Sequence, residues 1–336
     1  MGYPEKTALD AAFYNEFIAP RMPKQIFDVH VHLNLPQHIP FISKQRLSQD
    51  WAFQSGLYLT ADEAFSRAAM LFPNIEYALA GFPWPIRETK MEENNTYLSH
   101  LHQEGIAFPF MGTKPDWDAE KVEADLMHFC GFKPYPDFVA TTKGGENSIF
   151  EFMPHHQLEV LNRYKKSVVL HLPRKNRLAD KENLKELLDM RQKYPDIQII
   201  IAHFGRSFCP AYLSEGLDYL GREADGFYFD TAAVINPTVY KIAFEQIQYQ
   251  HILFGTDAPI LYWHGKRTWT ERGYQNYCRE NYDWNRHLEG FVAEEKYTFI
   301  LYEQLKSILD AMDQACFGCE EKQGVFANNA RNILHI

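Results

Sequence analysis

Cysteine is scarce in this 336-residue chain: there are five, with none of the regular spacing of a disulfide-stapled secreted domain. The one close pair, Cys316 and Cys319 in CFGC, lacks the second pair that a zinc ribbon needs. It is read as neither a metal nor a redox site. Long apolar runs are missing too. None approaches the roughly 18 residues of a membrane helix, so no membrane partner is expected. The opening MGYPEKTALDAAFYNEF has no unbroken apolar stretch of the kind a secretory signal carries. Lys6 stands where a myristoylation signal has Ser or Thr. The expectation is a reducing, cytoplasmic setting. Positive charge is in deficit, with 34 Lys and Arg against 44 Asp and Glu and a formal net charge of −10. Nucleic acid favours a basic face and is not expected as a partner, whereas a small anion in a locally basic cleft stays compatible.

What is plentiful is aromatic: 15% of residues, with 25 Phe and 19 Tyr, which suits a large core and an aromatic-lined pocket. Short apolar runs recur, each closed by Gly, Pro or a polar cluster. Eight read as strands: 26–32, 75–83, 105–112, 130–136, 167–173, 197–205, 227–233 and 251–259. Runs such as SVVL and IIIA are apolar on both faces, as strands covered on both sides of a parallel sheet are. Helical spacing fills gaps at 60–71, 89–104, 118–129, 150–165 and 180–194. The first of these opens at Thr60 with Glu63 three residues on, a capping-box pattern.

Strand then helix, eight times over, predicts an α/β fold of the (β/α)8 TIM-barrel type. An open doubly wound sheet is the alternative, but no Gly-rich phosphate loop follows the first strand. Residues 33–74 exceed what a barrel connection needs. They predict a helical insertion, between the first and second strands, that caps the barrel mouth. Residues 260–290 are polar and aromatic, and 291–336 read as helices closing the barrel. No linker or compositional break divides the chain, so 1–336 is expected to be one domain.

The chemistry gathers at strand ends. In FDVHVH the first strand closes on His30 and His32, which share one face because side chains two apart on a strand do. Alone, such a pair is as easily two satisfied core residues as a metal site. But the fifth strand ends in VVLHLP, placing His171 at the same height. The sixth ends in IIIAHFG with His203, and the eighth in ILFGTDAP with Asp257. Carboxyl ends of barrel strands are where barrel active sites lie. Neutral imidazoles with a carboxylate suit a divalent metal that keeps a position open for water. Imidazole suits several metals, so the set fixes none of them. His100, His102, His155 and His156 fall on helices or loops and are read as bystanders.

The words DVHVH, HFG and FGTDAP, with FANNARNIL at 326–334, resemble the amidohydrolase superfamily. More narrowly they are similar to its amidohydrolase-related branch, which holds aminocarboxymuconate-semialdehyde decarboxylase, resorcylate decarboxylases and pyrone-dicarboxylate lactonase. The resemblance spans about residues 26 to 334. It implies a metal-dependent barrel enzyme in which His30, His32, His171 and Asp257 hold one divalent ion. Zn is the leading expectation, with Mn or Fe as alternatives. It further implies that His203, with Asp257, moves protons rather than binding metal. Two-metal members carry a carboxylated lysine on the fourth strand; Lys133 in GFKPYP stands there and is read first as a substrate anchor.

Cations cluster just past the strands although the chain is acidic: Lys114, Arg174, Lys175, Arg206, His264, Lys266 and Arg267, with Trp84 and Trp263 beside them. Arginine pairs with carboxylates in bidentate fashion. A small anionic substrate is therefore expected, held by Lys133, Arg174 and Arg206, with Trp84 as a packing surface. The leading expectation is hydrolysis of a C–O or C–N bond by metal-activated water. Non-oxidative decarboxylation of an aromatic or muconate-type acid is the alternative, since the same ligand set serves both. A catalytically silent binding protein is the third reading. A homodimer is expected.

Overall fold

The structure is a computed structural model and describes residues 2–139 and 146–336. Eight parallel strands form in the predicted order: β1 (Gln25–His32), β2 (Glu76–Phe82), β3 (Phe110–Gly112), β4 (Gly131–Lys133), β5 (Ser167–Leu170), β6 (Gln198–Ile201), β7 (Tyr228–Asp230) and β8 (Ile252–Leu253). They make the (β/α)8 barrel, as two parallel ladders, β1–β2 and β3 through β8. The ladder does not close as one continuous sheet. Individual hydrogen bonds cross both seams: Phe108 N to Leu79 O at 3.1 Å, and Val29 N to Phe254 O and Asp257 N to His30 O, each at 3.0 Å.

Residues of alternate parity divide the core. Ile199 and Ile201 face outward to the helices, while Ile200 joins an inner cluster with Phe27, Val29, Phe82, Phe110, Val169 and Leu253. Ala327, Ala330, Ile333 and Leu334 complete that cluster, so the carboxyl-terminal segment plugs the end where the strands begin. Gly131 is required at the β4–β5 crossing, where a Cβ would sit 1.7 Å from Ser167 O.

Simple alternation from Phe27 and Val29 would carry Val31, not His30, into the barrel. The register of β1 on β2 slips between Asp28 and Val31. The cause is local. Asp28 Oδ1 accepts from its own neighbour His30 N at 3.1 Å and from Thr256 N at 3.0 Å; Oδ2 accepts from Thr256 Oγ1 at 2.6 Å and Tyr77 Oη at 3.0 Å. A side chain that captures a backbone N–H two residues on takes it out of the ladder. Such an irregularity re-aims the side chains beyond it. His30 and His32 thereby reach Phe82 of the inner cluster, at ring distances of 4.8 and 4.9 Å.

The insertion is as expected in kind. Asn34 and Leu59 exchange backbone hydrogen bonds at its stem, and the short helices Lys44–Leu47 and Trp51–Ser55 lie between them. Helix Ala61–Leu71 carries the Thr60–Glu63 capping box. Two expectations are corrected. The helix read over 150–165 is broken at Met153–Pro154 into Ile149–Phe152 and His155–Tyr164, because a proline ring cannot sit inside a helix. The stretch after β8 holds an antiparallel hairpin, β9 (Gly265–Trp269) and β10 (Tyr274–Cys278), which the sequence reading missed.

Candidate active site

His30 and His32 end β1, Lys133 ends β4, and His171, His203 and Asp257 lie just beyond β5, β6 and β8. All six line one cavity of about 160 Å³, with Trp84, Tyr135 and Arg206 from the adjoining loops. Asp50, Trp51 and Phe53 of the insertion and Tyr274 of the hairpin form its other walls.

Hydrogen bonds fix the imidazoles. His30 Nδ1 lies 2.8 Å from Asp230 Oδ2, and His203 Nδ1 lies 2.8 Å from Ala232 O. A carbonyl or an ionised carboxylate only accepts, so both Nδ1 atoms carry the proton and both Nε2 lone pairs point into the cluster. His32 Nδ1 faces Pro83 O at 3.4 Å in the same sense, and its ring stacks on Trp84 at 4.4 Å. Burial lowers the pKa of His30 and His32 and pushes His203 down to about 4, which keeps the imidazoles neutral near pH 7. Burial raises Asp257, but the protonated forms that His203, His30 and His32 take only in acid outweigh it and hold the carboxyl below its usual range. Burial lowers Lys133 to about 8, against the pull of Asp230 and Asp257.

The donor set fits a divalent cation. Asp257 Oδ1 lies 3.3 Å from His30 Nε2 and 3.2 Å from His32 Nε2. With the His30 proton committed to Asp230, Nε2 and Oδ1 face each other as two acceptors, a repulsive contact until a cation is shared between them. Ligand atoms of His30, His203 and Asp257 all lie within 4.8 Å of one another. Small inward shifts reach the roughly 2 Å bonds of a zinc site. His171 is close by: its ring centroid is 5.6 Å from that of His203, and its buried Nδ1 has no hydrogen-bond partner among the described residues.

Several expected rim residues lie elsewhere. Arg174 does not reach the cavity; its guanidinium is held by Glu186 at 2.8 Å and Asn183 at 3.0 Å. Lys114 pairs with Glu92 and Lys266 with Glu289. His264 is buried between Asp10 and Glu280, and Trp263 is wholly in the core. Lys175 is exposed and does not line the cavity. The error is one of reach: proximity in sequence to a strand end does not fix where a loop side chain points.

Other residues were not foreseen. Asp230 is fully buried at the end of β7; besides His30 it accepts from His203 N at 2.7 Å and Ala232 N at 3.1 Å. Its signal was available, as an acid ending the apolar run FYFD. Asp50, Tyr135, Arg177 and Phe208 lie between the main helices and strands, Tyr274 opens the unforeseen strand β10, and none carried a signal.

A family model described as amidohydrolase matches residues 27–336. The chain belongs to that family. Over 81 residues it is 35% identical to the 6-methylsalicylic acid decarboxylase of Penicillium expansum, a match covering 20% of this chain and only 25% of that protein. Two solved structures share the fold across nearly the full length. The 5-carboxyvanillate decarboxylase of Novosphingobium aromaticivorans, complexed with manganese, aligns with a TM-score of 0.55 at 12% identity, covering 94% of this chain and 96% of its own. A probable 2-pyrone-4,6-dicarboxylic acid hydrolase of Acinetobacter baumannii aligns with a TM-score of 0.55 at 14% identity, covering 93% and 99%. At those identities the likeness establishes the barrel, and one such barrel hosts a lyase while the other hosts a hydrolase. No helix among the described residues is long and apolar enough to cross a membrane.

Proposed function

We propose that this amidohydrolase-family protein is a metal-dependent non-oxidative decarboxylase of a single-ring aromatic acid. The observation that carries the reading is the cavity. It holds about 160 Å³ and is walled by Trp51, Phe53, Trp84, Tyr135, Phe208 and Tyr274 around the histidine–aspartate cluster. Cavities of about 150 Å³ accept a benzene ring. The match to a methylsalicylate decarboxylase, although short, favours the same chemistry over the hydrolysis that the ligand set alone suggested.

His30, His32, His171 and Asp257 would hold the ion, with His203 beside it. A bound divalent ion supplies a Lewis acid for the oxygens of the substrate. Lys133 Nζ stands 4.6 Å over the Phe82 ring and makes no hydrogen bond among the described residues, so it is free to hold an oxyanion. The aromatic walls orient the ring and exclude water from its carboxylate. Loss of CO2 breaks the ring–carboxyl bond, leaves the electron pair on the ring carbon and requires a proton there. Asp257 and His203 are the groups placed to carry it. An arriving anion raises the proton affinity of the neighbouring His203, whose free Nε2 can then take one proton from solvent for each CO2 lost and pass it to the ring carbon.

The test is to load the protein with Mn²⁺ or Zn²⁺ and supply hydroxybenzoic acids in one arm and aromatic lactones and amides in the other. CO2 release with formation of the phenol supports the reading. Lactone or amide hydrolysis without CO2 from any acid would restore the hydrolase reading.

A further inference from the structure

Many arginines of this protein are answered by carboxylates: Arg21 by Asp310, Arg46 by Asp137, Arg163 by Glu123, Arg174 by Glu186 and Arg272 by Glu215. Several others have no carboxylate partner among the described residues, and three of these gather at one wall of the cavity. Arg177 and Arg206 line it, and Arg267 stands directly behind. Among the described residues none of the three has a carboxylate oxygen within 4.0 Å. Their bonds go to uncharged groups. Arg206 Nη1 donates to Leu172 O at 3.1 Å and Pro173 O at 3.2 Å, and Arg177 Nη1 donates to Arg206 O at 3.2 Å. Arg267 is 4% exposed; its Nε donates to Asn276 Oδ1 at 2.7 Å and its Nη1 to Ala233 O at 3.0 Å. Its Nη2 is buried with no hydrogen-bond partner among the described residues.

Rings sandwich these cations. Arg267 lies 4.4 Å from the Tyr274 centroid and 5.7 Å from those of Trp51 and Phe208, while Arg177 lies 5.4 Å from Phe208. Trp51, Phe208 and Tyr274 all face the cavity. The three arginines come from three separate segments: the loop after β5, the loop after β6 and strand β9. Arg177 and Arg206 also adopt left-handed φ of 58° and 64°. A residue bearing a side chain keeps that conformation only where its surroundings demand it. Buried charges are ordinarily paired. Two carboxylates, Asp50 and Asp257, line the cavity against three cations, Lys133, Arg177 and Arg206, and a divalent ion would add two positive charges more.

We infer that Arg177 and Arg206, backed by Arg267, form a second anion subsite, and that the substrate is an aromatic dianion. One carboxylate faces the histidine–Asp257 cluster and Lys133. A second carboxylate, across the ring, meets the arginine wall. The inference rests on the aromatic-acid reading above for the ring between the two anions, but its test is of binding alone.

Benzoate, isophthalate and terephthalate lack the ring hydroxyl and serve as unreactive probes. Their dissociation constants are measured by calorimetry on metal-loaded wild type, Arg177→Gln and Arg206→Gln, with melting temperature and metal content checked for each. The better dicarboxylate is expected to bind wild type about tenfold or more tighter than benzoate, as a charge-assisted guanidinium contact allows. That preference is expected to fall below about threefold in each variant. Equal affinity of mono- and dicarboxylates in wild type overturns the proposal, as does a preference that survives in both variants. Should Arg206→Gln fail to fold, Arg177→Gln decides alone, because the Arg177 side chain donates to a single carbonyl, that of Arg206, whereas Arg206 donates to two. Tight dicarboxylate binding without CO2 release from any hydroxylated acid would sink the decarboxylase reading and leave the subsite standing. Turnover of monocarboxylates with no dicarboxylate preference would do the reverse.

Discussion

Asp230→Asn is the substitution whose outcome the geometry dictates most closely. The carboxylate makes three contacts. One oxygen accepts from His203 N and Ala232 N, and the other faces His30 Nδ1. An asparagine must turn its carbonyl oxygen to the two backbone donors, because the reverse would set its NH2 against both. Its NH2 then faces His30 Nδ1, which can only accept. The His30 proton moves to Nε2 and points at Asp257 Oδ1, 3.3 Å away, where a metal would sit. Loss of a partner that orients a ligating histidine typically weakens metal binding about 10- to 100-fold. That is about 1.4–2.7 kcal/mol. A tautomer forced the wrong way places the variant at the weak end of that range. The assay is competition with a chromogenic chelator, with thermal melting as a control for folding. Asp230→Glu, which keeps the charge, should recover part of the affinity. A metal affinity for Asp230→Asn within about threefold of wild type, in a folded protein, would refute the reasoning.

Three further outcomes follow. His264 is 2% exposed; burial lowers its pKa, but hydrogen bonds to Asp10 and Glu280 win and raise it to about 9. A folded pKa raised above the unfolded value gives stability that is complete below about pH 6.5 and is lost as pH rises through about 9. The shift is worth about 3 kcal/mol, shared with Asp10 because the bond is the same. Urea titrations should therefore show wild type losing about 2 kcal/mol between pH 7 and pH 9.5 beyond any change in His264→Ala, and a parallel pH dependence of the two would contradict it. Lys133→Met should leave the metal content at one equivalent while weakening binding of an aromatic acid at least about tenfold; loss of one of two metal equivalents would instead make Lys133 a metal-bridging residue. Gly131→Ala forces a methyl into Ser167 O and should cost about 3 kcal/mol in a denaturant titration, and an unchanged midpoint would show that the β4–β5 crossing can yield.

The barrel was legible because strand runs such as SVVL and IIIA are short, apolar on both faces and evenly spaced by helical segments. The histidine–aspartate cluster was legible for the same reason: a strand end has a known height and face, so His30, His32, His171, His203 and Asp257 could be brought to one cavity from position alone. For His30 and His32, position alone falls short. They share a face, but only the Asp28–His30 hydrogen bond and the register slip turn that face inward. Loop residues had no such ruler. Arg174 and Arg206 looked equivalent, each three residues beyond a histidine. Yet one is drawn outward by Glu186 and the other turns back onto the carbonyls of 172 and 173. The hairpin was invisible because GKRTWTERGYQNYC mixes polar and aromatic residues without sustained alternation and has no tight-turn dipeptide. Hydrolysis and decarboxylation share every ligand, so what separates them is the shape and lining of the cavity, which no motif spells out.

The most direct test is CO2 release from hydroxybenzoic acids by the same preparation, first stripped with chelator and then reconstituted with increasing Mn²⁺ or Zn²⁺. The account predicts no release from the stripped protein and a rise that saturates near one metal per chain, with the phenol formed in equal amount. Release that is independent of metal, or none from any aromatic acid at full metal loading, would contradict it.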